Sequence, residues 1–77
     1  MKINVYTLQS IIRIVVKTCN FYYIYESDLT IEIKSNIITF SFIGVKRKDL
    51  YNIEKELNKY YRSDLQKNST IIITLKN

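Results

Sequence analysis

The sequence predicts an α+β fold in a single domain spanning residues 1–77: a mainly antiparallel sheet with two helices packed on one face, in the order β-α-β-β-β-α-β. Three observations lead there. Apolar and polar residues alternate over 29–34, and within 37–43 Ile38, Phe40 and Phe42 alternate with Thr39 and Ser41, the pattern of strands with one covered and one open face. A helical period of apolar residues runs through 46–66. Hydrophobic residues make up 47% of a 77-residue chain, enough for one core and no more.

In chain order, residues 2–7 alternate, with Ile3 and Val5 against Lys2, Asn4 and Tyr6, and read as a short strand. Leu8, Ile11, Ile12, Val15 and Cys19 then recur at helical spacing, with Thr7 as the expected cap. The many β-branched residues in 8–19 favour a strand instead. Periodicity outranks propensity, so a helix is expected, with a strand as the open alternative. Phe21 to Glu26 is aromatic and strand-prone, and Ser27-Asp28 signals a turn. Leu29 to Lys34 and Ile37 to Ile43 follow as strands around Ser35-Asn36, with Ile38, Phe40 and Phe42 on the covered face. Gly44 breaks the strand. The helix over 46–66 buries Leu50, Ile53, Leu57 and either Tyr60 or Tyr61, and Lys67-Asn68-Ser69 ends it before a last strand at 70–76. Periodicity leaves open where the first and last strands sit; at an edge, either offers its unpaired backbone to a partner.

Several kinds of chemistry lack their residues. Histidine is absent and there is one cysteine, so neither a zinc cluster nor a disulfide framework is expected. One glycine cannot build a phosphate-binding loop or a dinucleotide fingerprint. The acidic residues Glu26, Asp28, Glu32, Asp49, Glu54, Glu56 and Asp64 are dispersed, and those on the second helix are expected to pair locally, Glu54 with Arg47 or Asn58 and Glu56 with Lys59. Cys19 falls on an apolar stripe and is expected to be a buried structural thiol. The expectation is a protein that is not an enzyme and takes no cofactor, metal or small-molecule substrate. No leader-like or membrane-length apolar run is present, so a cytoplasmic location is expected.

The positive signal is charge. The chain carries +5 at neutral pH, of which +3 lies in segment 46–67. Lys48, Lys55, Lys59 and Arg62 fall on one stripe of the second helix, opposite Leu50, Ile53 and Leu57, with Asn52 and Gln66 filling the same stripe. Lys46 and Arg47 add charge at the helix start, where the helix dipole disfavours cations. Such a stripe suits a phosphate backbone or an acidic protein surface. The competing account is a solvated face in a lysine-rich chain. Abundant Ile, Lys, Asn and Tyr, with no Ala, Pro, His or Trp, points to an AT-rich genome such as that of a low-GC bacterium or phage, and codon bias alone raises lysine. Tyr6, Tyr22, Tyr23 and Tyr25 are candidates for exposed aromatics that stack bases or anchor an interface, although tyrosine standing in for phenylalanine in an AT-rich gene and shielding the sheet is the favoured account, since scattered exposed aromatics are normal.

The α-β-β-β-α order expected over 8–66 is similar to that of the double-stranded-RNA-binding domain, with Lys46-Arg47-Lys48 where that family opens its second helix with basic residues. The loop between its first two strands is reduced here to Ser27-Asp28, and the flanking strands lie outside the pattern, so the likeness is one of element order.

The expected function is therefore a small basic binding protein acting on nucleic acid, or on a nucleic-acid-handling complex, through Lys46, Arg47, Lys48, Lys55, Lys59 and Arg62. One alternative is a phage-type inhibitor that blocks a host protein, of the anti-defence or anti-CRISPR kind. Another is a structural homodimer joined through edge strands.

Overall fold

A computed structural model describes residues 3–25 and 28–75 of the chain. It is an α+β fold: helix α1 (Val5–Phe21), strands β1 (Leu29–Lys34) and β2 (Ile37–Phe42), helix α2 (Arg47–Asn58), and strands β3 (Ser63–Leu65) and β4 (Thr70–Thr74). The four strands form one antiparallel sheet in the order β1-β2-β4-β3. Both helices cover the same face. Ile11, Val15 and Cys19 from α1 and Leu50, Ile53 and Leu57 from α2 share one core with Ile38, Phe40 and Phe42 of β2 and Ile71 and Ile73 of β4.

The fold class agrees with the sequence expectation, while several element boundaries differ for identifiable reasons. Residues 5–7 are helical and not part of a strand, because Asn4 caps α1. Its side-chain Oδ1 accepts from the backbone N–H of Tyr6 at 2.8 Å and of Thr7 at 3.4 Å, the role expected of Thr7. Lys2, the start of that expected strand, lies outside the described residues.

Residues 21–25 are not a strand either. The helix runs to Phe21 and closes with the Ile24 N–H on the Cys19 carbonyl at 2.8 Å and the Tyr23 N–H on the Asn20 carbonyl at 3.3 Å. That is a Schellman closure, with Tyr23 (φ 58°) in the left-handed position that glycine usually takes and Ile24 folding back into the core beside Cys19. Glu26 and Ser27, where the expected strand ended and the turn began, lie outside the described residues. The observed order, α-β-β-α-β-β, therefore departs from that of the double-stranded-RNA-binding domain.

The second helix ends at Asn58 rather than at 66, and 63–65 forms a third strand. Asn58 itself makes the stop: its Oδ1 accepts from the Ser63 N–H at 2.9 Å and the Ser63 hydroxyl at 3.1 Å. The last strand, β4, is interior, so the edges of the sheet are β1 and β3. Lys76, at the end of the expected last strand, is outside the described residues.

The β1–β2 hairpin follows the sequence pattern closely. Its strands pair Leu29 with Phe42, Ile31 with Phe40 and Ile33 with Ile38 on the helix side. Ser35 takes φ 57° in the two-residue connection. Asn36 then ties the hairpin tip to β4, its side-chain Nδ2 donating to the Leu75 carbonyl at 2.7 Å while its own carbonyl accepts from the Leu75 N–H at 2.9 Å.

Candidate functional site

Each side of α2 has a distinct neighbour. Leu50, Ile53 and Leu57 point into the core and are fully buried. Toward β3, Glu54 accepts from the Leu65 N–H and Asn58 from Ser63. On the same side the Arg47 guanidinium donates to the carbonyls of Gln66 at 3.0 Å and Lys67 at 3.4 Å and lies 5.5 Å from the Tyr51 ring centre. Toward α1, Glu56 and Tyr60 face Ile14, Thr18 and Phe21 across an open cleft. What is left for solvent is the stripe of Lys48, Asn52, Lys55 and Lys59, which spans about 60° at ~100° per residue.

The six basic residues expected to act together thus divide. Lys46, Lys48 and Lys55 are exposed with no ion pair among the described residues. Arg47 is exposed but serves the β3–β4 connection, so its role is to hold the fold rather than to extend the stripe. Lys59 pairs with Glu56 at 3.0 Å, as the sequence spacing predicts. That hydrogen bond and the charge of the same carboxylate hold the Lys59 ammonium above its ordinary pKa. Arg62 lies beyond the helix, exposed in the link to β3, and Gln66 has likewise left the stripe for the turn after β3. Glu54 pairs with neither Arg47 nor Asn58, but with the Leu65 backbone.

A feature missed by sequence reasoning stands at the start of α2. The turn after α1 folds against it and forms an open cleft of about 480 Å³, lined among others by Tyr22, Tyr23, Tyr25, Gly44, Lys46 and Lys48. Tyr23 is 87% exposed and Tyr25 75%, so two large aromatic faces stand in solvent beside two lysines. Asp28 and Asp49 share the wall, so the cleft carries both signs of charge. Lys46 occupies the N-cap position without a side-chain cap bond. A lysine there cannot accept from the first free N–H groups as Ser, Thr, Asp or Asn would. Tyr23 is strained as well as exposed: a non-glycine residue in the left-handed region costs about 1 kcal/mol or more. The sequence signal was the tyrosine cluster itself, but alternation along a strand would have spread those rings over two faces, whereas the turn gathers them on one cleft.

Among the described residues no group of three acidic, Cys or His side chains is placed to hold a metal ion, and no helix is long and apolar enough to cross a membrane. Cys19 is buried in the core.

No protein-family model and no curated protein matches the chain. Among solved structures it is similar to an N-terminally truncated, IMP-bound IMP-nucleotidase of Plasmodium falciparum, at 16% identity and a TM-score of 0.47. The match covers 100% of this chain and 24% of that one, so the chain spans about a quarter of the protein it resembles.

Proposed function

We propose that the protein is a non-enzymatic binding module for single-stranded nucleic acid, with the strand's bases on Tyr23 and Tyr25 and its phosphates on Lys46, Lys48 and Lys55. The observation that carries this reading is the placement of two exposed tyrosines in one cleft with two lysines, continuous with the solvent stripe of α2. Sequence-tolerant binding of single strands combines these two elements: a cationic track for the backbone and aromatic faces for the bases. The dispersed acids and the absence of histidine favour binding over catalysis.

Fluorescence anisotropy with a labelled single-stranded oligonucleotide across a salt series tests it. Affinity should fall steeply with salt, and replacing Lys46 and Lys48 by Glu should lower the logarithmic salt slope by about 0.7 per lost phosphate contact. Tyr23→Ala should weaken binding roughly tenfold, about 1.4 kcal/mol and within the range of one stacked base, with the salt slope unchanged. Absence of binding at low salt, or binding indifferent to all three residues, rules the proposal out.

A further inference from the structure

Two large aromatic side chains stand in water outside the tyrosine cleft. Phe21, the last residue of α1, is 74% exposed, and Tyr60, in the turn after α2, is 68% exposed. Both line an open cleft of about 670 Å³ between the two helices, together with Ile14 and the exposed Lys17. An exposed ring standing alone needs no explanation, but two rings gathered in one concave place mark a surface that makes contact.

This cleft is joined to the first. Tyr22 lines both, and its ring meets that of Phe21 edge to face with 4.9 Å between centres. On α2, Asp49 borders the tyrosine cleft and Glu56 the second one, and the two fall within about 20° of each other at ~100° per residue. Together they mark one groove along the α1 side of α2. Lys48 and Lys55 stand about a quarter turn away on its solvent side. Glu56 is neutralised by Lys59 at 3.0 Å, so the second cleft does not repel an anion as a bare carboxylate would.

We infer that the α1–α2 cleft is a second base-stacking site, into which a single strand continues from the tyrosine cleft past Tyr22. This rests on the single-strand reading of the first cleft. A further base stacks on Phe21 and Tyr60, and Lys17 takes a phosphate on the α1 wall while Lys48 and Lys55 follow the backbone along α2. From Lys48 to Tyr60 the chain advances about 18 Å at ~1.5 Å per residue, the length of roughly five stacked nucleotides at ~3.4 Å each. Rings spaced along one cationic track are what sequence-tolerant binding of single strands requires, and strand length then decides how many rings are engaged. A ligand confined to the first cleft leaves Phe21 and Tyr60 in water.

Fluorescence anisotropy of the full chain with oligothymidylates and oligouridylates of increasing length tests it, at low salt and with circular dichroism as the check on folding. Affinity should rise with length and level off between roughly five and eight nucleotides. Phe21→Ala and Tyr60→Ala should each weaken binding of an octanucleotide about tenfold and leave that of a trinucleotide unchanged. Tyr60→Phe keeps the ring and should bind the octanucleotide as the wild type does. Lys17→Glu should lower the logarithmic salt slope for the octanucleotide by about 0.7, with no change for the trinucleotide. An affinity that levels off at three nucleotides, or Phe21 and Tyr60 variants that treat the two lengths alike, overturns the second site while the first stands through its dependence on Tyr23. Absence of binding at every length overturns the single-strand reading and this extension with it.

Discussion

Ile33 and Ile38 are cross-strand partners on the same face of the same hairpin, yet Ile38 is fully buried and Ile33 is 47% exposed. The difference marks where the helical layer stops. α2 lies along the β3 end of the sheet and fastens itself there through Glu54, Asn58 and Arg47, while β1 projects beyond the cover that α1 provides. One edge is closed by α2 side chains, and among the described residues no side chain hydrogen-bonds to the backbone of the other. Alternation alone does not distinguish the two, because it reports which face a residue is on and not whether anything lies over that face.

The largest test of this contrast is the pair Ile38→Ala and Ile33→Ala, measured by urea unfolding at concentrations below any self-association. Ile38→Ala opens a cavity in the core and should cost about 2–5 kcal/mol. Ile33→Ala, already half in water, should cost less than about 1 kcal/mol. Comparable losses would mean that β1 is covered in solution and that the contrast between the edges is absent.

Next in size is the closure of β3. Asn58→Ala removes the acceptor from the Ser63 N–H and hydroxyl, and Ser63 is buried. Leaving the Ser63 N–H unmet should cost about 1–3 kcal/mol, while the hydroxyl keeps the Glu54 carbonyl at 3.4 Å as an acceptor. Hydrogen exchange should accelerate at the Ser63 amide before it does so in β2 and β4. Unchanged protection there would show that the edge is held by β4 alone.

These two regions also differ in how far the sequence revealed them. The hairpin was legible almost to the residue, because two alternating runs flank a two-residue turn and nothing else in the chain competes for that pattern. The helix stripe Leu50, Ile53 and Leu57 was equally plain. The stop at Asn58 was not, since no Gly or Pro marks it and the apolar period continues through Tyr60 and Tyr61. The helix ends because Asn58 offers its side chain to Ser63, a contact five residues along that periodicity does not register. The expected strand failed over 5–7 for a related reason: one capping asparagine outweighs the alternation around it. At the site, Lys46, Lys48 and Lys55 could be picked from spacing, but the diversion of Arg47 to the β3–β4 turn required knowing where that turn lies. The tyrosines were legible as a cluster, but their gathering on one cleft was not, because it depends on a left-handed tyrosine, which no propensity predicts.

That tyrosine supplies a smaller and sharper test. Tyr23→Gly removes the left-handed strain and should stabilise the fold by about 1 kcal/mol in thermal or urea unfolding. The same change should weaken oligonucleotide binding roughly tenfold. Opposite signs for stability and binding would separate the candidate site from the scaffold. A variant that gains stability and binds as before would leave Tyr23 without a role in contact.

The smallest effect concerns Lys59, at the far end of the solvent stripe. Its raised pKa means that the pairing with Glu56 stabilises the folded state fully below the ordinary lysine range, and that this contribution is lost as pH rises through the raised value. Both side chains are substantially exposed, 54% for Lys59 and 42% for Glu56, so the change in stability itself should be slight. The titration is the better measure: following the Lys59 side chain by NMR, Glu56→Gln should move its midpoint down to the ordinary lysine value. The same substitution tests how far the proposed binding surface extends. Released from its partner, Lys59 would be available to phosphate, and oligonucleotide affinity should rise by up to about threefold at low salt if the strand reaches the C-terminal end of α2. An affinity that does not change while the midpoint does would confine the phosphate track to Lys46, Lys48 and Lys55, next to the tyrosines.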